Sequence, residues 1–306
     1  MKNIKKYEGI IPALYELVGD LLAEDEKLLI TSPAYGFFLH AAEFNHRELV
    51  CSPLLNDGGN FSIDFEDLER KAADPKVRLL LWCNPHNPTG RMWTWEETEK
   101  VVEIAKKYDL WLISDEIHCD LIRSGKRHIP TGLVAPDYPK LITCMAASKT
   151  FNMAGLMFSN IIVRDAGVRA KMAEHAKLVG FVNPLSLVAT QTAYEQCGDW
   201  LEQLKVYLDD NFRFVDTFLK ERLPDAVSVI PEATYLAWVD LRKCLPDVED
   251  LPMFFANEAG VLLEGGDALF VGNAEGFVRL NLAMPRSIIE TGMNRMAEAI
   301  AKHNKK

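Results

Sequence analysis

VRLLLWCNPHNPTGRMWTWEETEKVVEIAKKYDLWLISDEIHC, residues 77–119, holds one complete layer unit of the fold. Val77 to Cys83 is an apolar run of strand length, suited to a sheet covered on both faces. Asn84 to Gly90, NPHNPTG, packs two prolines and a glycine into one turn, which excludes both helix and ladder. Thr94 followed by Glu97 forms a capping box, and the helix it opens runs to Tyr108 with Val101, Val102, Ile104 and Ala105 on one face. A second strand, Leu110 to Ser114, then leads into SDEIHC. Strand, turn, helix and strand in this order make a parallel crossover.

The same alternation extends to either side. Candidate strands at Lys27 to Thr31, Glu48 to Cys51, Leu141 to Met145 and Asn160 to Val163 predict an α/β fold, a mostly parallel sheet with helices on both faces. From about Glu195 the pattern changes to a long helical stretch reaching Arg222. Strands then follow at Val227 to Ile230, Thr234 to Leu241, Val261 to Leu263 and Phe277 to Ala283, closed by a helix from Arg286 to His303. This reads as a large domain over residues 1–195 and a smaller α+β domain over 196–306, with a cleft between them as the expected ligand site.

Composition narrows the partners. The 306 residues carry 34 Lys plus Arg against 44 Asp plus Glu, a net charge of −10, which argues against a nucleic-acid partner. The longest apolar runs, Leu79 to Cys83 and Leu141 to Ala147, fall far short of the ~20 residues that cross a bilayer. Pro12, Glu16 and Asp20 interrupt what would have to be a signal peptide's apolar core, so no membrane partner and a cytoplasmic location are expected. Six cysteines lie far apart without metal-ligand spacing, as reduced thiols do, and no metal is expected. Dinucleotide, phosphate-loop, zinc-protease and nucleophile-elbow motifs are absent.

Four segments follow strand ends, where ligands of open parallel sheets bind. NPHNPTG can project an asparagine amide. Asp115 of SDEIHC is either a structural cap or ion-pair member, or the partner of a bound cationic group, because a carboxylate at a buried strand end needs one or the other. Lys149 of ASKTFNMAGL (147–156) is either a solvated lysine or an amine made nucleophilic by burial against Phe151, Met153 and Leu156. Arg279 of FVRLNLA (277–283) projects away from the face shared by Val278, Leu280 and Leu282, either to solvent or onto a carboxylate.

Taken in this order, the four segments resemble the class I/II aminotransferase superfamily of fold-type I pyridoxal-phosphate enzymes over nearly the whole chain. DEIH, SKTFNMAGL, PEATYLAWVDLR (231–242) and FVRLNLAMPRS (277–287) resemble the MalY/PatB-type cystathionine or cysteine-S-conjugate β-lyases. The resemblance implies pyridoxal 5'-phosphate as cofactor, an amino-acid substrate and a homodimer. It matches Lys149 to the lysine that carries the cofactor and takes the Cα proton, and Asp115 to the carboxylate on the ring nitrogen. Asn87 and His118 match positions beside the phenolic oxygen, Tyr35 the aromatic stacked on the ring, and Arg279 the clamp on the substrate α-carboxylate. Gly9, Ile10 and Ile11 match a glycine turn whose free N–H groups receive the phosphate, with Ser148 as an added hydroxyl.

The resemblance implies elimination of a thiol from an S-substituted cysteine, giving pyruvate and ammonia. The same core residues also serve amino transfer to a 2-oxo acid. MKNIKKYE stands before Gly9 where the family has a strand and a longer N-terminal segment, and Lys2, Lys5 and Lys6 suit a buried strand poorly. Ala146 and Met157 stand where many aminotransferases have a phosphate-binding serine and arginine. The N-terminal departure suggests, as an alternative, a truncated, catalytically impaired cofactor-binding or interaction protein; the other two weaken the aminotransferase reading, since the β-lyase branch often lacks both.

Overall fold

A computed structural model describes residues 3–179, 182–266 and 269–305. The strands are β1 Ile4–Tyr7, β2 Lys27–Ser32, β3 Ala34–Tyr35, β4 Glu48–Pro53, β5 Leu55–Asp57, β6 Asn60–Ser62, β7 Val77–Cys83, β8 Trp111–Asp115, β9 Leu141–Met145, β10 Ser159–Val163, β11 Leu236–Asp240, β12 Glu264–Gly265, β13 Phe270–Val271 and β14 Phe277–Asn281. The helices are α1 Ile10–Leu21, α2 Phe37–Phe44, α3 Phe65–Ala72, α4 Trp95–Lys107, α5 Thr131–Val134, α6 Ala147–Thr150, α7 Ala166–Val179, α8 Pro184–Gln196, α9 Gly198–Arg222, α10 Leu251–Ala259 and α11 Arg286–His303. Among the described residues no helix is long and apolar enough to cross a membrane.

Seven strands form the central sheet in the order β1-β10-β9-β8-β7-β2-β4. The five from β9 to β4 are parallel, as expected of an α/β layer. Successive strand residues feed opposite cores. Leu28 and Ile30 of β2, Leu79 and Leu81 of β7, Ile113 of β8 and Ile142 of β9 join residues of α1, α2 and α7 on one face. Leu29, Leu80, Trp82, Leu112 and Leu141 join residues of α3 and α4 on the other. A separate cluster packs Ala237 and Val239 of β11 and Val278 and Leu280 of β14 against α9, α10 and α11.

The capping box at α4 forms as its spacing predicts. Thr94 Oγ1 accepts from the Glu97 N–H at 3.1 Å, and Glu97 Oε2 accepts from the Thr94 N–H at 2.8 Å. Thr94→Ala removes the first of these bonds and is expected to cost about 1 kcal/mol, read as a lower urea midpoint at unchanged slope; an unmoved midpoint would mean that the cap contributes nothing.

Several expectations are corrected. The stretch before Gly9, rich in lysine for a strand, nevertheless forms β1, antiparallel to β10 with Ile4 opposite Ile162 and Tyr7 opposite Ser159. It sits at the sheet edge, where pairing is through the backbone and lysines reach solvent. Strand β10 is antiparallel to β9 rather than part of the parallel set. The connection between them carries only the four-residue α6 and a short 3-10 turn, so the chain returns without a crossover helix.

Val227–Ile230 is not a strand: it makes one isolated bridge, Val227 to Asp240, before Pro231. Val261 to Leu263 has no ladder either, since pairing with β14 begins one residue later, at Glu264. The long helical stretch forms as one helix, α9, preceded by a separate helix α8 that ends just before Cys197.

Candidate active site

The carboxyl ends of β7 and β8, helix α6 after β9, and the start of α1 converge on a cleft of about 380 Å³. All ten residues singled out from the sequence line it: Gly9, Ile10, Ile11, Tyr35, Asn87, Asp115, His118, Ser148, Lys149 and Arg279. No local rule required residues so far apart in the chain to meet; the sheet order brings them together.

Asp115 ends β8 and is 6 % exposed. Its Oδ1 accepts from the Ile117 N–H at 3.1 Å. Burial pushes its carboxyl up to about 7, with the Glu116 carboxylate adding to the rise and the Lys149 ammonium opposing it. A carboxyl in that state is suited to a further cationic partner. Three residues on, the buried ring of His118 stands 6.0 Å from that of Tyr235 at 71°, and its Nδ1 has no hydrogen-bond partner among the described residues. Burial, then the Lys149 and Arg279 charges, hold its pKa down to about 3, so the imidazole is neutral.

Lys149 lies in α6, directly after the buried end of β9. Burial is the main cause that lowers its pKa, and the Arg279 charge is the next. Thr150, beside it, donates from Oγ1 to Asp120 Oδ2 at 2.9 Å, which ties the short helix to the loop after β8. Tyr35 is placed by the small β3–β13 ladder, in which it pairs with Phe270.

Gly9 caps α1 at φ 110°, in the region that favours glycine. No side chain caps this end, and no acidic residue occupies its first turn. The amides of Gly9, Ile10 and Ile11 are thus donors at a helix start, of the kind that an anion accepts from.

NPHNPTG is braced from inside. The Asn84 N–H donates to Asp115 O at 3.0 Å and the Gly90 N–H to His86 O at 2.7 Å, while His86 Nδ1 pairs with Thr89 Oγ1 at 2.8 Å. A Cβ at Gly90, whose φ is 68°, would lie 2.3 Å from Pro231, so only glycine lets the turn meet the 231–235 segment. Asn87 Oδ1 accepts from Arg279 Nη1 at 2.9 Å. Arg279 also donates from Nε to Glu264 Oε2 at 3.0 Å and from Nη2 to the same oxygen. As its alternation in β14 predicts, Arg279 faces away from Val278 and Leu280, which belong to the core against α10 and α11.

The family profile described as "Aminotransferase class I and II" matches residues 13–296. This chain belongs to the class I and II aminotransferase family. Within that family it is 35% identical over 296 residues to "Cystathionine beta-lyase PatB" of Bacillus subtilis, covering 96% of this chain and 76% of that protein. It is 32% identical to "Protein MalY" of Escherichia coli, covering 95% and 75%. Among solved structures, the PLP-bound C-S lyase from Staphylococcus hominis superposes with a TM-score of 0.95 at 46% identity over 98% of this chain and 77% of that one. Cystalysin from Treponema denticola gives 0.92 at 32% identity, over 98% and 77%.

Three polar residues of the cleft, Tyr235, Glu264 and Asn281, are not singled out by the sequence, and neither is Asp120, which holds Thr150 beside it. Tyr235 lies inside PEATYLAWVDLR, a string whose likeness to the lyases does not mark its tyrosine. Asp120, next to SDEIHC, goes unmarked because its contact is with Thr150, 30 residues away. Glu264 and Asn281 also line the cleft. Glu264 carries no sequence signal, since nothing local marks a two-residue strand.

Proposed function

We propose that this chain is a pyridoxal-phosphate-dependent carbon–sulfur β-lyase that splits cystathionine or another S-substituted cysteine into a thiol, pyruvate and ammonia. The observation that carries the cofactor is the buried Asp115 carboxyl, raised to about 7, in one cleft with the Lys149 amine. The choice of elimination over amino transfer is supported by the 46% identity to the Staphylococcus hominis C-S lyase.

The residues fit the group at each of its edges. Asp115 would meet the ring nitrogen, and the uncapped start of α1, with Ser148, would take the phosphate. His118, whose Nδ1 is buried without a partner, and Asn87 would face the phenolic oxygen. Tyr35 would cover the ring, and Lys149 would hold the aldehyde carbon. When bound, pyridoxal phosphate supplies an aldehyde that joins the substrate amine and a conjugated ring that takes up the electron pair freed at Cα.

The chain's own groups supply the rest. Arg279 grips the α-carboxylate and fixes the substrate's orientation. The released Lys149 amine, its pKa lowered by burial, takes the proton from Cα. The Cβ–S bond breaks with its electron pair on sulfur, which leaves as thiolate and is protonated to the thiol. Water then converts the remaining 2-aminoacrylate to pyruvate and ammonia.

In this reading residues 1–195 make the cofactor-binding domain and 196–306 the smaller domain of a cytoplasmic homodimer, which the family resemblance supports. The reaction is tested by incubating the cofactor-loaded protein with cystathionine or S-methylcysteine and assaying pyruvate without any 2-oxo acid acceptor. Pyruvate is the expected product. Amino transfer to a supplied 2-oxo acid with no pyruvate would instead make the chain an aminotransferase.

A further inference from the structure

Arg279 does not face the cleft alone. Glu264 is its direct register partner across the β12–β14 ladder. Both Arg279 bonds to it land on a single oxygen, Oε2, so the guanidinium fork is not matched to two carboxylate oxygens. The two ends of the pair are unlike in exposure. The Arg279 side chain is 8% exposed and that of Glu264 is 53% exposed, which sinks the cation in the cleft and leaves the anion at its mouth.

Arrival of a substrate α-carboxylate at Arg279 changes the charge balance at that mouth. Arg279 then answers the substrate, two carboxylates compete for one guanidinium, and Glu264 loses its share. Among the described lining residues the other basic groups do not replace it. Lys149 serves the cofactor and then Cα, its pKa lowered by burial, and His118 is neutral with its pKa held down to about 3. Glu8 and Asp115 add only negative charge to the lining. Arg295 borders the adjoining cleft with Glu264 but makes no ion pair with it among the described residues, so Glu264, half-exposed at the mouth, is open to a positive charge that arrives with the substrate.

We propose that Glu264 is a specificity residue that pairs with an ammonium on the far arm of the S-substituent. The chain therefore prefers cysteine thioethers whose other arm carries a cation over those ending in a neutral or anionic group. The scissile bond rests on the β-lyase reading; recognition of the far charge does not. The preference is modest, because an exposed ion pair contributes up to about 1 kcal/mol, or roughly fivefold in affinity.

The test uses lysine, norleucine and 2-aminoadipate, amino acids of similar length with side-chain charges of +1, 0 and −1 and no leaving group at Cβ. Their dissociation constants for the cofactor-loaded protein are measured by titration calorimetry at low salt. Lysine is expected to bind about fivefold more tightly than norleucine, and 2-aminoadipate more weakly than either. Glu264→Gln should bring the three within about twofold of one another. Glu264→Lys should reverse the order in favour of 2-aminoadipate, which a merely damaged protein would not do. An order unchanged in Glu264→Gln, or lysine binding no tighter than norleucine in the parent, overturns the proposal. If the order holds and no pyruvate forms from cystathionine, the lyase reading fails and the role of Glu264 stands.

Discussion

Lys149→Ala is expected to lower kcat/KM for an S-substituted cysteine by at least about 10⁴-fold, because in the proposed reaction one amine serves both as the group that holds the cofactor and as the base at Cα. The position supports both tasks. Lys149 is carried on a four-residue helix at the end of a buried strand, pinned by the Thr150–Asp120 bond, and burial lowers its pKa. A lowered pKa leaves more of the amine unprotonated near neutral pH, the form that attacks a carbonyl or accepts a proton. The variant should also lose the visible absorbance of lysine-held pyridoxal phosphate that the parent shows, while its circular dichroism stays native. Lys149→Arg keeps the charge without a usable nucleophile and should fail equally. Activity within tenfold of the parent in either variant, with the fold intact, would remove Lys149 from the chemistry.

The second large effect is at Asp115. In Asp115→Asn, kcat/KM should fall by about 10² to 10³-fold, the range seen when a preorganised electrostatic partner is removed from a reacting group. The same substitution has an opposite signature in stability that can be read without activity. In the cofactor-free protein burial pushes the Asp115 carboxyl up to about 7, well above its unfolded value. A raised carboxyl pKa contributes stability that is fully present below the unfolded value and is lost as pH rises through the folded one. The parent should therefore lose up to about 4 kcal/mol relative to Asp115→Asn between about pH 4 and pH 7, at about 1.4 kcal/mol for each pH unit crossed.

His86 and His118, both held down to about 3, act with the opposite sign, since their stability is present above 6.5 and lost as the pH falls. They occur in both chains and cancel in the difference. Denaturant titrations of both cofactor-free proteins across this range give that difference. A gap that does not change with pH would show that Asp115 ionises normally.

Much of the site was legible because its residues sit in strings with strong local physics. NPHNPTG can only be a turn, the Thr94–Glu97 box can only open a helix, and a lysine just after an apolar strand end is placed where sheet ligands bind. The facing of Arg279 away from the core was legible from alternation, since Val278 and Leu280 took the core face, but not whether it met solvent or a carboxylate. Glu264 was not, because its meaning is its pairing with Arg279 across a ladder of only two residues. The role of Asn87 was only partly legible: its string fixed the turn, but its bond to Arg279 spans 192 positions of the chain. The lysine-rich β1 was illegible for a related reason, as backbone pairing to an edge puts little demand on side-chain polarity.

By itself the sequence determined the α/β layer and the parallel crossover, because periodicity, turn geometry and capping act over a few residues, and its resemblance to a family singled out the ten side chains that the cleft brings together. The tertiary structure alone decided the antiparallel return of β10, the closing of the sheet edge by β1 and the pairing of the buried Arg279 with an anion at the cleft mouth. Those features depend on contacts between distant segments, whose geometry is set by how the layers pack.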